Sequence, residues 1–123
     1  MNNVAEIVKE YLETLEFIDT VNIDYMENTP GAWGLYTTSE SVYKEYIAGN
    51  SEYLTNLTLY YHTEAVTDTE RINNISVLSQ VVHSLNQWDN FVKITCSNPV
   101  LFAVPVSLND GYTYQIQIQI IHI

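Results

Sequence analysis

Basic residues are scarce in this chain. Four Lys and Arg stand against fifteen Asp and Glu, which gives a formal net charge of −11 at pH 7. Binding to a phosphate backbone needs clustered cations, and attraction to an anionic membrane surface also depends on basic residues. We therefore expect no specific nucleic-acid binding and no membrane binding, and copies of the chain repel one another unless a specific interface overcomes the charge.

Cysteine, glycine and long apolar runs are also in short supply. The single Cys96 excludes an intramolecular disulfide and a cysteine-based zinc site. The four Gly residues form no phosphate-binding motif. No run approaches the ~20 apolar residues of a membrane-spanning helix, and the first residues do not resemble a secretion signal. These features predict synthesis in a reducing cytosol.

Apolar and aromatic residues are plentiful despite the charge. Hydrophobic residues make up 46% of the 123 residues, and ten residues are Tyr. That composition is too apolar for a disordered acidic segment. The length suits one hydrophobic core, because two cores would each be marginal. We predict a single domain over residues 1–123.

Two segments show the apolar periodicity of amphipathic helices. In the first, over residues 3–16, apolar residues recur every three or four positions and Glu residues fall elsewhere. The second begins at Thr67, which forms a capping-box pattern with Glu70, and extends to about Trp88. Both helices are expected to pack on a sheet. The apolar stripe predicted for the second helix consists of Ile72, Ile75, Leu78, Val82 and Leu85, with Trp88 as a further candidate.

Period-two alternation, which is typical of strands, fills most of the remaining chain. Pro99 and Pro105 indicate an edge strand or broken pairing, and Asn109-Asp110-Gly111 is a hairpin turn signal. Short turns between strands favour an α+β fold, with an antiparallel (mixed) β-sheet, two helices packed on one side and a β-hairpin at the end. The predicted strands cover residues 17–25, 33–38, 41–47, 53–62, 98–106 and 112–122.

Side chains that carry catalysis or hold metals form no recognisable pattern. His62, His83 and His122 fall on three different predicted elements, so packed or surface roles are expected rather than metal ligation. Cys96 and His83 could pair as nucleophile and base, but a free Cys is more commonly a small buried residue. We predict that the protein is not an enzyme and has no catalytic residue, no metal site and no cofactor.

Tyrosines are unusually frequent on the predicted strands. Strand propensity explains about half of them, and a large rigid ring with a polar tip also suits protein–protein contact. Tyr53, Tyr60 and Tyr61 are therefore candidate interface residues. The row of Gln residues at alternate positions from Gln115 to Gln119 is either a plain solvent face or a surface that pairs with a neighbour.

Trp33 follows the Pro30-Gly31 turn signal, and two roles are open for it. In one, it folds back over the first helix and shields the end of the sheet, since Trp is mostly buried on average. In the other, it is exposed and anchors in a neighbouring subunit, because Trp is enriched among interface hot spots. If the second role holds, Trp33 is a candidate interface residue, like the three tyrosines.

Several short strings, together with the order of the predicted elements, resemble the phage minor capsid and tail terminator family. That family occurs in long-tailed phages and phage-tail-like bacteriocins, and the resemblance in layout covers most of the chain. The strings are Asn22-Ile23-Asp24, Asn28-Thr29-Pro30-Gly31, Tyr43-Lys44-Glu45-Tyr46-Ile47-Ala48-Gly49 and Tyr112-Thr113-Tyr114-Gln115-Ile116.

The resemblance implies a structural virion protein of the tail, made in the cytoplasm of a bacterial host. Such proteins typically form a hexameric ring at the head-proximal end of the tail tube. The ring stops polymerisation of the tube, and of the sheath where one is present, and it offers a joining surface to the head. The implied partners are other copies of the chain, the tail tube protein, the sheath protein and the head-side connector.

An acidic ring suits the passage of DNA, because like charge weakens phosphate binding and lets the duplex slide. The acids expected to line the lumen lie on or beside the central strands: Glu40, Glu45, Glu52 and Glu64. Each of them could instead belong to a solvated outer face. The alternative function is a small acidic phage-encoded module that captures a basic protein or mimics nucleic acid, with the carboxylates as its working surface.

Overall fold

The computed structural model describes residues 4–25, 31–45, 49, 51–63, 68–103 and 112–123. Two helices and six strands lie in these ranges. The helices are α1 (Val4–Leu12) and α2 (Asp68–Gln87), and the strands are β1 (Val21–Ile23), β2 (Ala32–Glu45), β3 (Ser51–Thr63), β4 (Lys93–Cys96), β5 (Val100–Ala103) and β6 (Tyr112–His122).

The strands form one mixed sheet in the order β1-β2-β3-β6-β4, and β5 pairs with β6 beside β4. β1 runs parallel to β2, whereas all other pairs are antiparallel. The predicted α+β class is confirmed. β5 and β6 pair as expected for a terminal hairpin, although its turn signal at Asn109-Asp110-Gly111 lies outside the described residues.

The core lies between the sheet and the two helices. On β3, Leu57 and Leu59 stand opposite Ile118 and Ile116 of β6, and all four side chains are buried. Successive side chains of a strand point to opposite sides of the sheet, so alternate residues face the core and the residues between them face away from it. The helices add further members of the same cluster, including Val8, Leu12, Leu78, Val81 and Leu85.

Several predicted boundaries are wrong. The segment 33–38 and residues 41–45 of the segment 41–47 are parts of one continuous strand, β2, in which the pairing with β3 shifts register after Thr37 and again after Val42. These irregularities break the alternation that sequence reasoning takes as a strand end. The last two residues of the segment 41–47 lie outside the described residues. The first helix ends at Leu12 and the first strand is only three residues long. β4 was not predicted, because four residues are too few for a periodic signal.

The stripe predicted for the second helix is also partly wrong. Leu78 and Leu85 are fully buried, but Val81 rather than Val82 completes the buried row. Ile72 is 65% exposed and Ile75 is exposed as well. α2 packs on β4, which follows it in sequence, and nearer its start the Asn74 amide donates a hydrogen bond to the Thr63 hydroxyl of β3 at 3.4 Å. In its first half, Ile72 and Ile75 are left at the surface, whereas Val77 packs against the core.

Leu78→Ala should lower the free energy of unfolding by roughly 2–4 kcal/mol, because it leaves a cavity between α2 and the sheet. Ile72→Ala is the matched control on the same helix and should change stability by less than about 0.5 kcal/mol. Urea denaturation followed by circular dichroism measures both. Equal effects of the two substitutions would contradict the described orientation of α2.

The partly buried carboxylate of Glu13 links the end of α1 to the start of β1. Glu13 Oε2 accepts a hydrogen bond from the backbone N–H of Val21 at 2.9 Å, and Lys9 Nζ donates to both carboxylate oxygens at 2.9 and 3.0 Å. Burial raises the pKa of Glu13, but these hydrogen bonds and the charge of Lys9 outweigh it, so the pKa lies below its ordinary value of 4.5. Ionised Glu13 therefore stabilises the fold.

Because folding lowers this pKa, the stabilisation is present above pH 4.5 and is lost as the pH falls through the lower folded-state value. Glu13→Gln should reduce the unfolding free energy at pH 7 by about 1 kcal/mol. The difference from the parent protein should shrink in acid. Urea titrations at pH 7 and pH 3 test this, with the exposed Glu10→Gln as control. A Glu13→Gln deficit that persists undiminished at pH 3 would refute the assignment.

Candidate interaction surfaces

The sheet face opposite the helices, here called the open face, carries a set of aromatic and amide side chains. On β6, Gln117 and Gln119 are exposed, and Gln115 stands opposite Tyr60 of β3. Tyr60 packs edge-to-face against Tyr36 of β2, with ring centroids 5.4 Å apart. The open face thus presents uncharged hydrogen-bonding side chains around two tyrosines that pack against each other. Its central residues are Tyr36, Asn56, Thr58, Tyr60, Gln115, Gln117 and Gln119.

The tyrosines singled out from the sequence separate onto different surfaces. Tyr60 lies on the open face, whereas Tyr61 points to the helix side and packs against the core. Tyr53 also lies on the helix side, where its ring is stacked near that of His122 at 5.8 Å. The alternation of side chains along β3 explains the split, because neighbouring residues face opposite ways.

Trp33 is a core residue. Its side chain is only 3% exposed, and its indole stacks on the Tyr61 ring with a centroid distance of 4.2 Å. The expectation that Trp33 occupies an exposed segment is wrong, because the residue lies within β2, beside Val21 of β1, and faces the core rather than belonging to the preceding turn. Of its two proposed roles, the structure places it in the core.

Carboxylates concentrate on the far part of the β2–β3 hairpin, formed by residues 39–45 and 51–54 and here called the arm. Every residue of 39–45 is exposed. Glu40 and Glu45 lie on β2, and Glu52 lies on β3 opposite Lys44. Glu64, the fourth acid expected in a lumen, falls outside the described residues. The three described acids therefore belong to one structural unit.

His122 holds the base of the arm. Its side chain is 11% exposed, and Nε2 lies 2.9 Å from Thr55 Oγ1 and 3.5 Å from Glu40 Oε1. The ring also meets Phe91 edge-on at 6.4 Å. Glu40 therefore contacts the body of the subunit in addition to solvent. Sequence reasoning missed this contact, because these residues are far apart in the chain and no motif links them.

An open cavity of about 390 Å³ lies beside His122 at the same end of the sheet. Five of its seven lining residues are apolar. The stacked pair of Tyr11 and Trp88, with ring centroids 4.1 Å apart, packs against Phe91 through the Trp88 ring. The residues that line it are Val4, Ile7, Asn90, Phe91, Val92, His122 and Ile123.

The remaining candidates for chemistry are dispersed. His62 Nδ1 lies 3.0 Å from Thr113 Oγ1, and His83 is exposed on α2. Within the ranges that the structure describes, no three His, Cys, Asp or Glu side chains are grouped as metal ligands. Cys96 is half-buried against the core, and burial raises the pKa of its thiol to about 12. A thiol of that kind stays protonated at neutral pH and is a poor nucleophile.

Comparisons with known proteins leave the family of the chain open. No protein-family model matches it, and the search of curated proteins gave no match. Neither described helix is long and apolar enough to cross a membrane.

Cys96 should react slowly in the folded protein. With a pKa of about 12 against an ordinary 9.0, the thiolate fraction at pH 8 falls by roughly 10³-fold, and alkylation by iodoacetamide should slow accordingly. Mass spectrometry of the intact protein follows the reaction, and the same chain in 6 M guanidinium is the control. Rapid labelling of the native protein with a plateau near neutral pH would instead reveal an activated nucleophile.

Proposed function

We propose that this chain is a ring-forming structural protein of a phage tail or a phage-tail-like particle, similar to a tail terminator. The observation that carries the proposal is the open face of the sheet. In a chain with a net charge of −11, the centre of this face carries no charged side chain: Tyr60, Gln117, Gln119 and their neighbours are all uncharged.

Such a face suits contact with another protein for two reasons. Its tyrosine pair is already fixed by an edge-to-face contact, so little side-chain freedom is lost when a partner covers it. Its amides offer both donors and acceptors, which gives a partner specific hydrogen bonds without the cost of desolvating a charge. Elsewhere the negative charge opposes the approach of a second acidic subunit.

The acidic arm complements this surface. Glu45 and Glu40 are exposed at one end of the molecule, away from the buried centre of the sheet. In a ring, an acidic projection of this kind facing the lumen would repel the phosphates of passing DNA rather than bind them. The protein itself does no chemistry in this proposal; it limits tube growth and presents a joining surface to the head.

The test is the oligomeric mass of the purified protein, measured by light scattering with and without the candidate tube protein. We expect a ring, favoured by added salt because screening weakens the repulsion between subunits. The double substitution Gln117→Glu and Gln119→Glu adds negative charge to the open face. It should abolish binding to other copies of the chain or to the tube protein, while the stability of the subunit changes little. Gln80→Glu with Gln87→Glu, both exposed on α2, is the matched control.

A protein that stays monomeric at high concentration, in high salt and with tube protein present would overturn the proposal. If that monomer instead bound a basic protein tightly, the acidic arm would be its working surface. The function would then be the acidic capture module rather than the ring.

A further inference from the structure

The arm joins the rest of the subunit at an irregular point of the sheet. β2 shifts register against β3 between Thr37 and Ser39, and Glu40 is the next residue. Irregular pairing of this kind bends a strand locally. The hydroxyl of Thr38, which the register skips, donates a hydrogen bond to the carbonyl of Asn56 at 3.0 Å. Contacts made by Glu40 therefore bear directly on how the base of the arm is held.

The end of β6 supports the base of the arm. β6 ends at His122, which stands opposite Tyr53 of β3. The carboxylate of Glu40 reaches across β3 to this last pair, where its Oε1 lies 3.5 Å from His122 Nε2. The ring of Tyr53 stacks near the same imidazole at 5.8 Å. These two side chains of the arm thus meet β6 at one residue, His122.

The contact between Glu40 and His122 depends on the charge of the ring. The Thr55 hydroxyl, 2.9 Å from Nε2, can donate or accept, so it satisfies this nitrogen in either protonation state. A carboxylate only accepts, so Glu40 gains a charge-assisted hydrogen bond when the ring is protonated and positive. Histidine is the side chain whose charge ordinarily changes between pH 5 and 8, and glutamate is ionised in that range.

The groups that pack around the His122 ring are uncharged in that range. The phenol of Tyr53 comes from β3, and Phe91 meets the ring at 6.4 Å from the segment that follows α2. α1 contributes Val4 and Ile7 to the wall of the cavity beside the ring. Because that cavity is open, water and protons can reach the imidazole without unfolding of the subunit.

The charged groups of the neighbouring elements lie on other sides. Lys93 of β4 lies on the open face, because its register partner in β6 is the residue before His122. Asp89 is exposed after α2, and Glu6 is exposed on α1. The main-chain carboxylate at Ile123 adjoins His122 in sequence. All of these groups are common to the protein and to variants of the arm, so their effects cancel when the two are compared.

We propose that protonation of His122 clamps the arm: in mildly acidic solution the imidazolium and the Glu40 carboxylate hold the base of β2 against the end of β6, and deprotonation releases that hold. The inference concerns a contact within one subunit and does not rest on the proposed function. Because the arm also carries Glu45 and Glu52, the clamp controls how firmly the subunit positions these carboxylates.

Titration of the histidines by NMR measures the coupling, in low salt, where screening is weakest and the repulsion between subunits is strongest. Glu40→Gln keeps the size of the side chain and removes its charge. It should lower the midpoint of the His122 titration by about 0.5 pH unit or more, a loss of at least about threefold in proton affinity. Glu45→Gln, farther out on the arm, is the matched control and should shift it by less than about 0.2 pH unit.

Hydrogen exchange of the arm amides measures the clamp itself. After correction for the intrinsic exchange rate at each pH, protection of residues 39–45 should be at least about threefold greater at pH 5.5 than at pH 8 in the parent protein. Glu40→Gln and His122→Gln should both remove this difference. Circular dichroism confirms that each variant is folded. If His122→Gln does not fold, the exposed Glu40→Gln substitution decides the test.

Equal midpoints for His122 in the parent protein and in Glu40→Gln would overturn the inference. Arm protection that does not change with pH in the parent would overturn it as well, and so would an undiminished change in Glu40→Gln. All three results would leave the proposed function standing, because that function is tested by the oligomeric mass and not by the state of the arm.

Discussion

The structure depends on the pairing of β3 with β6. These two strands match residue for residue along eleven positions, from Tyr53 opposite His122 to Thr63 opposite Tyr112. Every other part is placed by that ladder: β2 lies on its outer side, β4 and β5 on the other, and both helices pack on the apolar face that it creates. A slip of one residue would place Leu57 and Leu59 on the same face as the glutamines of β6, so that either these leucines or the isoleucines of β6 would face solvent.

The same alternation gives the sheet two different faces, the core face and the open face. One face of β6 contributes isoleucines to the core, and the other contributes amides to the open face. In a strongly acidic protein, an uncharged surface is where another protein can approach at the lowest electrostatic cost. Assembly and acidity are therefore compatible, because the carboxylates described on the hairpin are kept on the arm, apart from the centre of the open face.

Much of the fold could be predicted from the sequence, but less of the site. Strict alternation over 112–122 and helical periodicity around Leu78 identified β6 and α2, because both signals repeat several times. The burial of Trp33 could not be predicted, since it depends on β1 and Tyr61 packing around it. The contact between Glu40 and His122 joins distant segments, so no local pattern could indicate it. For Ile72, helical periodicity predicted burial, but periodicity does not show which residues of an apolar stripe the sheet covers, and Ile72 is exposed.

The position of β6 also has a consequence for folding order. β2 and β3 are close in sequence and can pair as a local hairpin, but β3 must wait for a strand that lies some fifty residues further along the chain. During synthesis, the last of the six strands to leave the ribosome is the one that completes the centre of the sheet. Until then, the apolar sides of β3 and α2 have no final partner, so the nascent chain is exposed to aggregation or chaperone binding.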